Sequence, residues 1–293
     1  MREGLKVEIS LPSVSVIVTA YNEQAFIETT IASILESGFP CELIVVDDGS
    51  TDQTPRILEK FGEKIKVITH PTNRGKGAAM ASGLKEATGE IVIFCDAHLL
   101  GLKQHHLLFM VLPLVYGSAK AVLGVGIQEK IPLPLVDIGP LLVLTGQRAY
   151  YRSDLLPLVD EIEDLGYGVE TFLLTKFPRN RTAVVLLPGL IHLTKQDMAP
   201  LLAVTVGYLR EAIEILETLA RIQGLAPKEL IELRRRLSAL LARYMGTDKK
   251  RALWPAFAAD RPLRWFKRRP FIGFRLRRPH NATREEVHRS FKN

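Results

Sequence analysis

Asp96 and His98 stand two residues apart at the end of the apolar run Ile91-Val92-Ile93-Phe94-Cys95, with only Ala97 between them. A carboxylate oxygen and an imidazole nitrogen projecting from a strand end can hold a divalent cation against a phosphate-bearing ligand. The competing reading is a strand-terminal Asp that caps, beside an incidental surface His. A second polar cluster, Asp47-Asp48-Gly49-Ser50-Thr51-Asp52, also follows an apolar run. There Gly49 suits a turn, Ser50 suits the cap of the helix that follows, and Asp52 suits its positive first turn.

These side chains need a scaffold that delivers them to one place. From Val14 to Cys95, β-branched runs alternate with amphipathic stretches. The runs are Val14–Val18, Glu42–Val46, Ile65–Ile68 and Ile91–Phe94, and the helical spacing falls at about 24–37, 52–61 and 76–87. Such alternation predicts an α/β fold, a mostly parallel sheet flanked by helices, whose ligands bind beyond the carboxyl ends of the strands. Those ends read Thr19-Ala20-Tyr21-Asn22-Glu23, Asp47-Asp48-Gly49-Ser50 and Asp96-Ala97-His98. Farther on, the pattern predicts helices near 103–115, 152–162 and 168–178, and strands near 120–127, 142–145 and 182–187. Helical spacing returns over 199–223 and 226–244, broken at Gly224, and Met198–Leu209 is apolar enough to lie on a partner or a membrane.

The 293 residues suffice for a sizeable core. No apolar run has the length of a membrane span, and Met1-Arg2-Glu3-Gly4 opens on polar sequence, so a cytoplasmic location is expected. Cys41 and Cys95 read as free thiols at strand edges, and no CxxC spacing suggests zinc. The net charge of +7 conceals an asymmetry, since residues 249–293 hold 14 Lys or Arg against 3 Asp or Glu and the remainder is net acidic. That tail mixes cations with Trp254, Trp265, Phe266 and Phe271, as sequences at an anionic membrane surface do. A solvated tail is the alternative, and nucleic acid is not expected because no recognised binding module accompanies the charge. A homodimer is compatible with the sequence.

The segments Ala20-Tyr21-Asn22-Glu23 and Asp47-Asp48-Gly49-Ser50-Thr51-Asp52, at their spacing, resemble the family 2 glycosyltransferases of the GT-A nucleotide-sugar-binding fold. Asn73-Arg74-Gly75-Lys76-Gly77 resembles a third family segment of the form Asn-x-Gly-x-Gly, and the resemblance covers roughly residues 13–195. It implies a GT-A domain over 1–197, with a helical extension over 198–247 and a basic, aromatic-rich tail over 248–293. It also implies a nucleotide-sugar site formed by Ala20, Tyr21, Glu23, Asp47, Asp48, Asn73, Gly75, Lys76, Asp96 and Ala97. In that site Asp47 accepts from a base edge, Ala20 and Tyr21 form its floor, Glu23 reaches the ribose, and Lys76 or Arg74 offsets phosphate charge.

Asp96-Ala97-His98 occupies the slot where the family usually shows Asp-x-Asp. Asp-x-His is the form used with manganese by the transferases that attach N-acetylgalactosamine to polypeptides, and a nitrogen ligand favours manganese over magnesium or calcium. His192, after an apolar run, is the expected third ligand of a Mn²⁺ or Mg²⁺ site, whereas His105 and His106 read as surface or packing residues. Thr145-Gly146-Gln147-Arg148 resembles an acceptor segment in which Arg148 grips a phosphate, with Gly146, Gln147 and Lys195 beside it. Gly166-Tyr167-Gly168-Val169-Glu170 is similar to a segment of polyprenyl-phosphate sugar transferases and of the synthases that glucosylate 3-phosphoglycerate. It makes Glu170 the candidate general base or acceptor-orienting group, the alternative being a carboxylate that complements a helix dipole.

The resemblance therefore implies a metal-dependent enzyme with Asp96, Arg148 and Glu170 as catalytic candidates. It would move a sugar from a nucleotide sugar to a phosphorylated acceptor, a polyprenyl phosphate first and a small phosphoacid such as 3-phosphoglycerate second. It would be peripheral on the inner face of the membrane. The rivals are a nucleotidyltransferase, which lacks its expected Gly-rich basic loop here, and a non-catalytic nucleotide-binding protein at the membrane.

Overall fold

The computed structural model describes residues 11–127 and 145–192, with Thr218 and Arg235, both helical. Lys195, the rest of the expected extension over 198–247 and the tail over 248–293 lie outside the described residues.

The β-branched runs become β1 (Val14–Ala20), β2 (Glu42–Asp47), β3 (Lys66–Thr69) and β4 (Ile91–Asp96). Between them lie α1 (Ile27–Glu36), α2 (Thr54–Glu59) and α3 (Lys76–Glu86). Nearly every side chain of β1 and all of those of β4 are buried, as expected of strands covered on both faces. After these come β5 (Leu99–Leu100), α4 (Gln104–Val115), β6 (Ala121–Ile127), β7 (Arg148–Tyr151), α5 (Arg152–Leu155), α6 (Val159–Glu163), α7 (Val169–Lys176), β8 (Thr182–Pro188) and β9 (Ile191–His192).

Seven strands form one sheet in the order β3-β2-β1-β4-β7-β6-β8. It is parallel except for β7, which runs antiparallel to β4 and β6. The α/β class and mostly parallel sheet expected from the sequence are therefore present. Alternating residues of β1 feed two cores: Val16 and Val18 pack with α1 and α4 on one face, while Ile17 packs with α3, α6 and α7 on the other. The chain order reverses between β1 and β4, so the crevice between their carboxyl ends is the place for a ligand.

Two local expectations change. The predicted helix over 152–162 is interrupted by a 3₁₀ turn at Leu156–Leu158, because Pro157 supplies no backbone N–H to continue it. Thr145, placed in a strand over 142–145, is not in one; the antiparallel strand begins at Arg148, and 142–144 lie outside the described residues.

Candidate active site

β4 ends on Asp96, and the chain turns at once into β5. Thr30 of α1, fully buried, fixes that turn: its Oγ1 donates to the carbonyl of Ala97 at 2.8 Å and accepts the Leu99 N–H at 3.0 Å. β5 then pairs antiparallel with β9, setting Leu99 opposite His192. This short ladder gathers Asp96, His98 and His192, each with a ligand atom within 4.8 Å of the others. Nε2 of His192 lies 2.9 Å from Oδ2 of Asp96, and the two imidazoles meet edge to face with centroids 4.7 Å apart.

The surroundings bias Asp96, Lys76 and His98 toward charge. Burial opposes ionisation of Asp96, but Lys76 and His192 hold its pKa well below the usual carboxylate range. Lys76 Nζ lies 2.8 Å from Asp96 Oδ1 and 2.7 Å from Glu170 Oε1. Against the cost of burial, those two carboxylates raise its pKa above the ordinary lysine value. Burial also works against a charged His98, yet Glu23, with Oε1 3.6 Å from the His98 Nδ1, and Asp96 raise its pKa.

The segment expected at the acceptor lies against the same carboxylate. A Cβ at Gly146 would overlap the Asp96 carboxylate, so only glycine allows this approach. Gln147 Nε2 sits 3.3 Å from Asp96 Oδ2 and 3.2 Å from His192 Nε2.

Arg148 is placed differently from the expectation of an acceptor-facing phosphate clamp. It is 0% exposed, and its Nε and Nη1 donate to the carbonyls of Thr145 and Glu170 at 2.8 and 3.1 Å. It joins the 145–147 segment to the start of α7.

On the nucleotide side, Ala20 is buried and Tyr21 exposed at the end of β1, and Glu23 is buried nearby. Asp47 accepts the Ser50 N–H on Oδ1 at 3.0 Å, while its buried Oδ2 has no partner among the described residues. Asp48, expected to touch the nucleotide, is filled from within the protein. Its Oδ1 accepts from His70 Nδ1 at 2.6 Å and from the Arg74 N–H at 2.9 Å, and its Oδ2 accepts the Gly75 N–H at 2.7 Å. Asn73 is half-buried in the loop so held.

Ser50 does not cap α2, since it lies four residues before the helix begins; its Oγ accepts the Asn22 N–H at 2.9 Å. Asp52 does complement that helix start, accepting the Thr54 N–H at 2.9 Å. Of the histidines read as surface or packing residues, His105 is exposed and His106 is buried. Thr30 and His70 escaped the sequence reading; a Thr inside a helix and a lone His after a strand carry no local signal of their distant partners.

Residues 15–128 match the Glycosyl transferase family 2 model. The chain is 41% identical over 105 residues to the probable glycosyltransferase YdaM of Bacillus subtilis, covering 33% of this chain and 24% of that protein. It is 37% identical over 97 residues to a human dolichyl-phosphate beta-glucosyltransferase, covering 28% of this chain and 30% of that protein. It thus spans well under two thirds of these curated relatives. Among solved structures it is similar to glucosyl-3-phosphoglycerate synthase from Mycobacterium tuberculosis in complex with Mn²⁺, UDP and glucosyl-3-phosphoglycerate. There the identity is 27% and the TM-score 0.55, over 73% of this chain and 81% of that one.

Proposed function

We propose that the chain, whose residues 15–128 match the Glycosyl transferase family 2 model, moves a sugar from a nucleotide sugar to a phosphorylated acceptor. One observation carries the reading: Asp96, His98 and His192 gather within 4.8 Å at the carboxyl ends of parallel strands. One carboxylate oxygen and two imidazole nitrogens form a donor set that suits Mn²⁺ and, less well, Mg²⁺. A cation held there would neutralise charge on the departing nucleoside diphosphate.

The chain's own groups supply the rest. The free Oδ2 of Asp47 accepts an N–H from the base edge, and Tyr21 offers the base an exposed ring. Lys76 adds a cation for phosphate oxygens, and Glu170 beside it takes the proton of an acceptor hydroxyl or orients it. In this reading the catalytic domain covers 1–197, followed by the helical extension over 198–247 and the tail over 248–293.

Residues 249–293, rich in cations and aromatics, favour a polyprenyl phosphate acceptor met at an anionic membrane surface. Similarity across 73% of the chain to a synthase solved with glucosyl-3-phosphoglycerate favours a second reading, a small soluble phosphoacid. The deciding experiment supplies UDP-, GDP- and ADP-sugars with Mn²⁺ or Mg²⁺, and either 3-phosphoglycerate or polyprenyl phosphate in anionic vesicles. Metal-dependent glycosylation of one acceptor, abolished in Asp96→Ala, is expected. Thermal shifts with none of the donors and no product would overturn the proposal.

A further inference from the structure

Asp48, His70 and Ser82 form a line of contacts that the transfer chemistry above does not use. His70 follows β3, and its own N–H bonds the Asp47 carbonyl at 2.9 Å, which sets the imidazole over the end of β2. Its Nδ1 lies 2.6 Å from Asp48 Oδ1 and its Nε2 2.9 Å from Ser82 Oγ on α3. Asp48 and His70 are 3% and 6% exposed. An ionised carboxylate only accepts, so Nδ1 carries a proton toward Asp48. The same carboxylate holds the consecutive N–H groups of Arg74 and Gly75, the last two residues before α3. The next residue is Lys76, whose ammonium bridges Asp96 and Glu170.

The order Ser82, His70, Asp48 is also that of a hydrolytic triad. Ser82, however, lies inside α3, where backbone N–H groups are spent on carbonyls one turn back, so its own backbone neighbours offer no donors for an oxyanion. The geometry points instead to a positioning role: we infer that His70 orients Asp48 so that its carboxylate fixes the Arg74–Gly75 amides, and thereby places Lys76 for the phosphates of a nucleotide donor. Without the imidazole, Asp48 would keep its two amide contacts but lose the partner that fixes its rotamer. The loop and the first turn of α3 would then shift relative to β4. This rests on the glycosyltransferase reading for the identity of the ligand alone.

Three measurements on the full chain test it. Without ligand, amide hydrogen exchange of residues 72–76 is compared in the wild type and in His70→Ala, His70→Asn and His70→Gln. Binding of UDP with Mn²⁺ is titrated in the same proteins, and donor and acceptor KM values are measured wherever turnover is found. Faster exchange at Arg74 and Gly75 is expected in His70→Ala. UDP binding and donor KM should worsen about tenfold to a hundredfold, as a shift of about 1 Å in a charged group would cause. Acceptor KM should hold. Asn, whose amide can take the place of Nδ1, should recover more than Gln; if the Ala variant does not fold, the Asn and Gln pair decides by the same ranking. Wild-type exchange at Arg74 and Gly75, Gln matching Asn, or equal loss on donor and acceptor would overturn the inference. Exchange and nucleotide binding read out even if no sugar is transferred, so failure of the transferase reading stays distinguishable.

Discussion

Nε2 of His192 lies 2.9 Å from Oδ2 of Asp96 although 96 residues separate them along the chain. The two-residue pairing of β5 with β9 makes that meeting possible, and it sets His98 beside both. His192→Ala removes one of the two nitrogens while leaving the strands of the large sheet untouched. Mn²⁺ affinity should fall by about a hundredfold, at the upper end of what loss of a metal-supporting group costs, with the far-ultraviolet circular dichroism unchanged. Titration of Mn²⁺ by electron paramagnetic resonance measures this, and wild-type affinity in the variant would remove His192 from the proposed metal site.

Gly146 offers a sharper probe because the missing side chain, not a present one, is what the site requires. Any Cβ there overlaps the Asp96 carboxylate, which must swing away from Lys76 and His192. Gly146→Ala should lower turnover of nucleotide sugar by about a hundredfold, the effect expected of a catalytic group displaced by roughly 1 Å. Melting should move by only a few degrees. Unchanged turnover would mean that Asp96 is not held in a required position.

The α/β class and the polar strand ends were legible because buried parallel strands read as unbroken apolar runs, so Asp47 and Asp96 mark where those apolar runs end. The partners of those side chains were not legible. Gly146-Gln147-Arg148 reads alike whether the guanidinium faces a ligand or the interior; the carbonyl of Glu170, delivered by α7, helps decide that it faces inward. Asp48 looks like a ligand group beside Asp47, yet its lone pairs go to His70, Arg74 and Gly75, 22 to 27 residues away. Local pattern reports burial and turn chemistry, whereas satisfaction of a polar group depends on elements distant in sequence.

The two carbonyl bonds of Arg148 separate a stabilising role from an acceptor-binding one. Arg148→Met keeps most of the buried volume but leaves the carbonyls of Thr145 and Glu170 without their donor. With each buried orphan costing about 1–3 kcal/mol, the variant should lose roughly 2–6 kcal/mol in urea unfolding. At a temperature where it remains folded, acceptor KM should stay within about threefold of wild type, because fold stability and uniform binding are separate quantities. Full stability with a strongly raised acceptor KM would return Arg148 to the acceptor site.

His106 gives the protein a pH dependence whose sign follows from its bonds. The ring is 1% exposed, its Nδ1 accepts the Lys103 N–H at 3.1 Å, and its Nε2 donates to the Pro188 carbonyl at 2.9 Å. Only the neutral imidazole makes both bonds, since a protonated Nδ1 could not accept. Burial, reinforced by neighbouring His105 and Lys103, outweighs the Pro188 carbonyl and lowers the folded-state pKa below the ordinary histidine value. In the unfolded chain the ring titrates near the usual value of about 6.5. As pH falls, the unfolded state takes up the proton first, so the contribution is complete above about 6.5 and is lost as pH falls toward the depressed folded value. His106→Gln forfeits the Nδ1 acceptor and should be about 1 kcal/mol less stable than wild type at pH 8. That gap should narrow as the pH is lowered to 5, because only the wild type carries the titrating ring. Urea unfolding of both proteins across this range measures the difference directly and cancels groups common to both. A gap that widens toward pH 5 would mean that folded His106 is stabilised as the cation, the opposite of what its two bonds require.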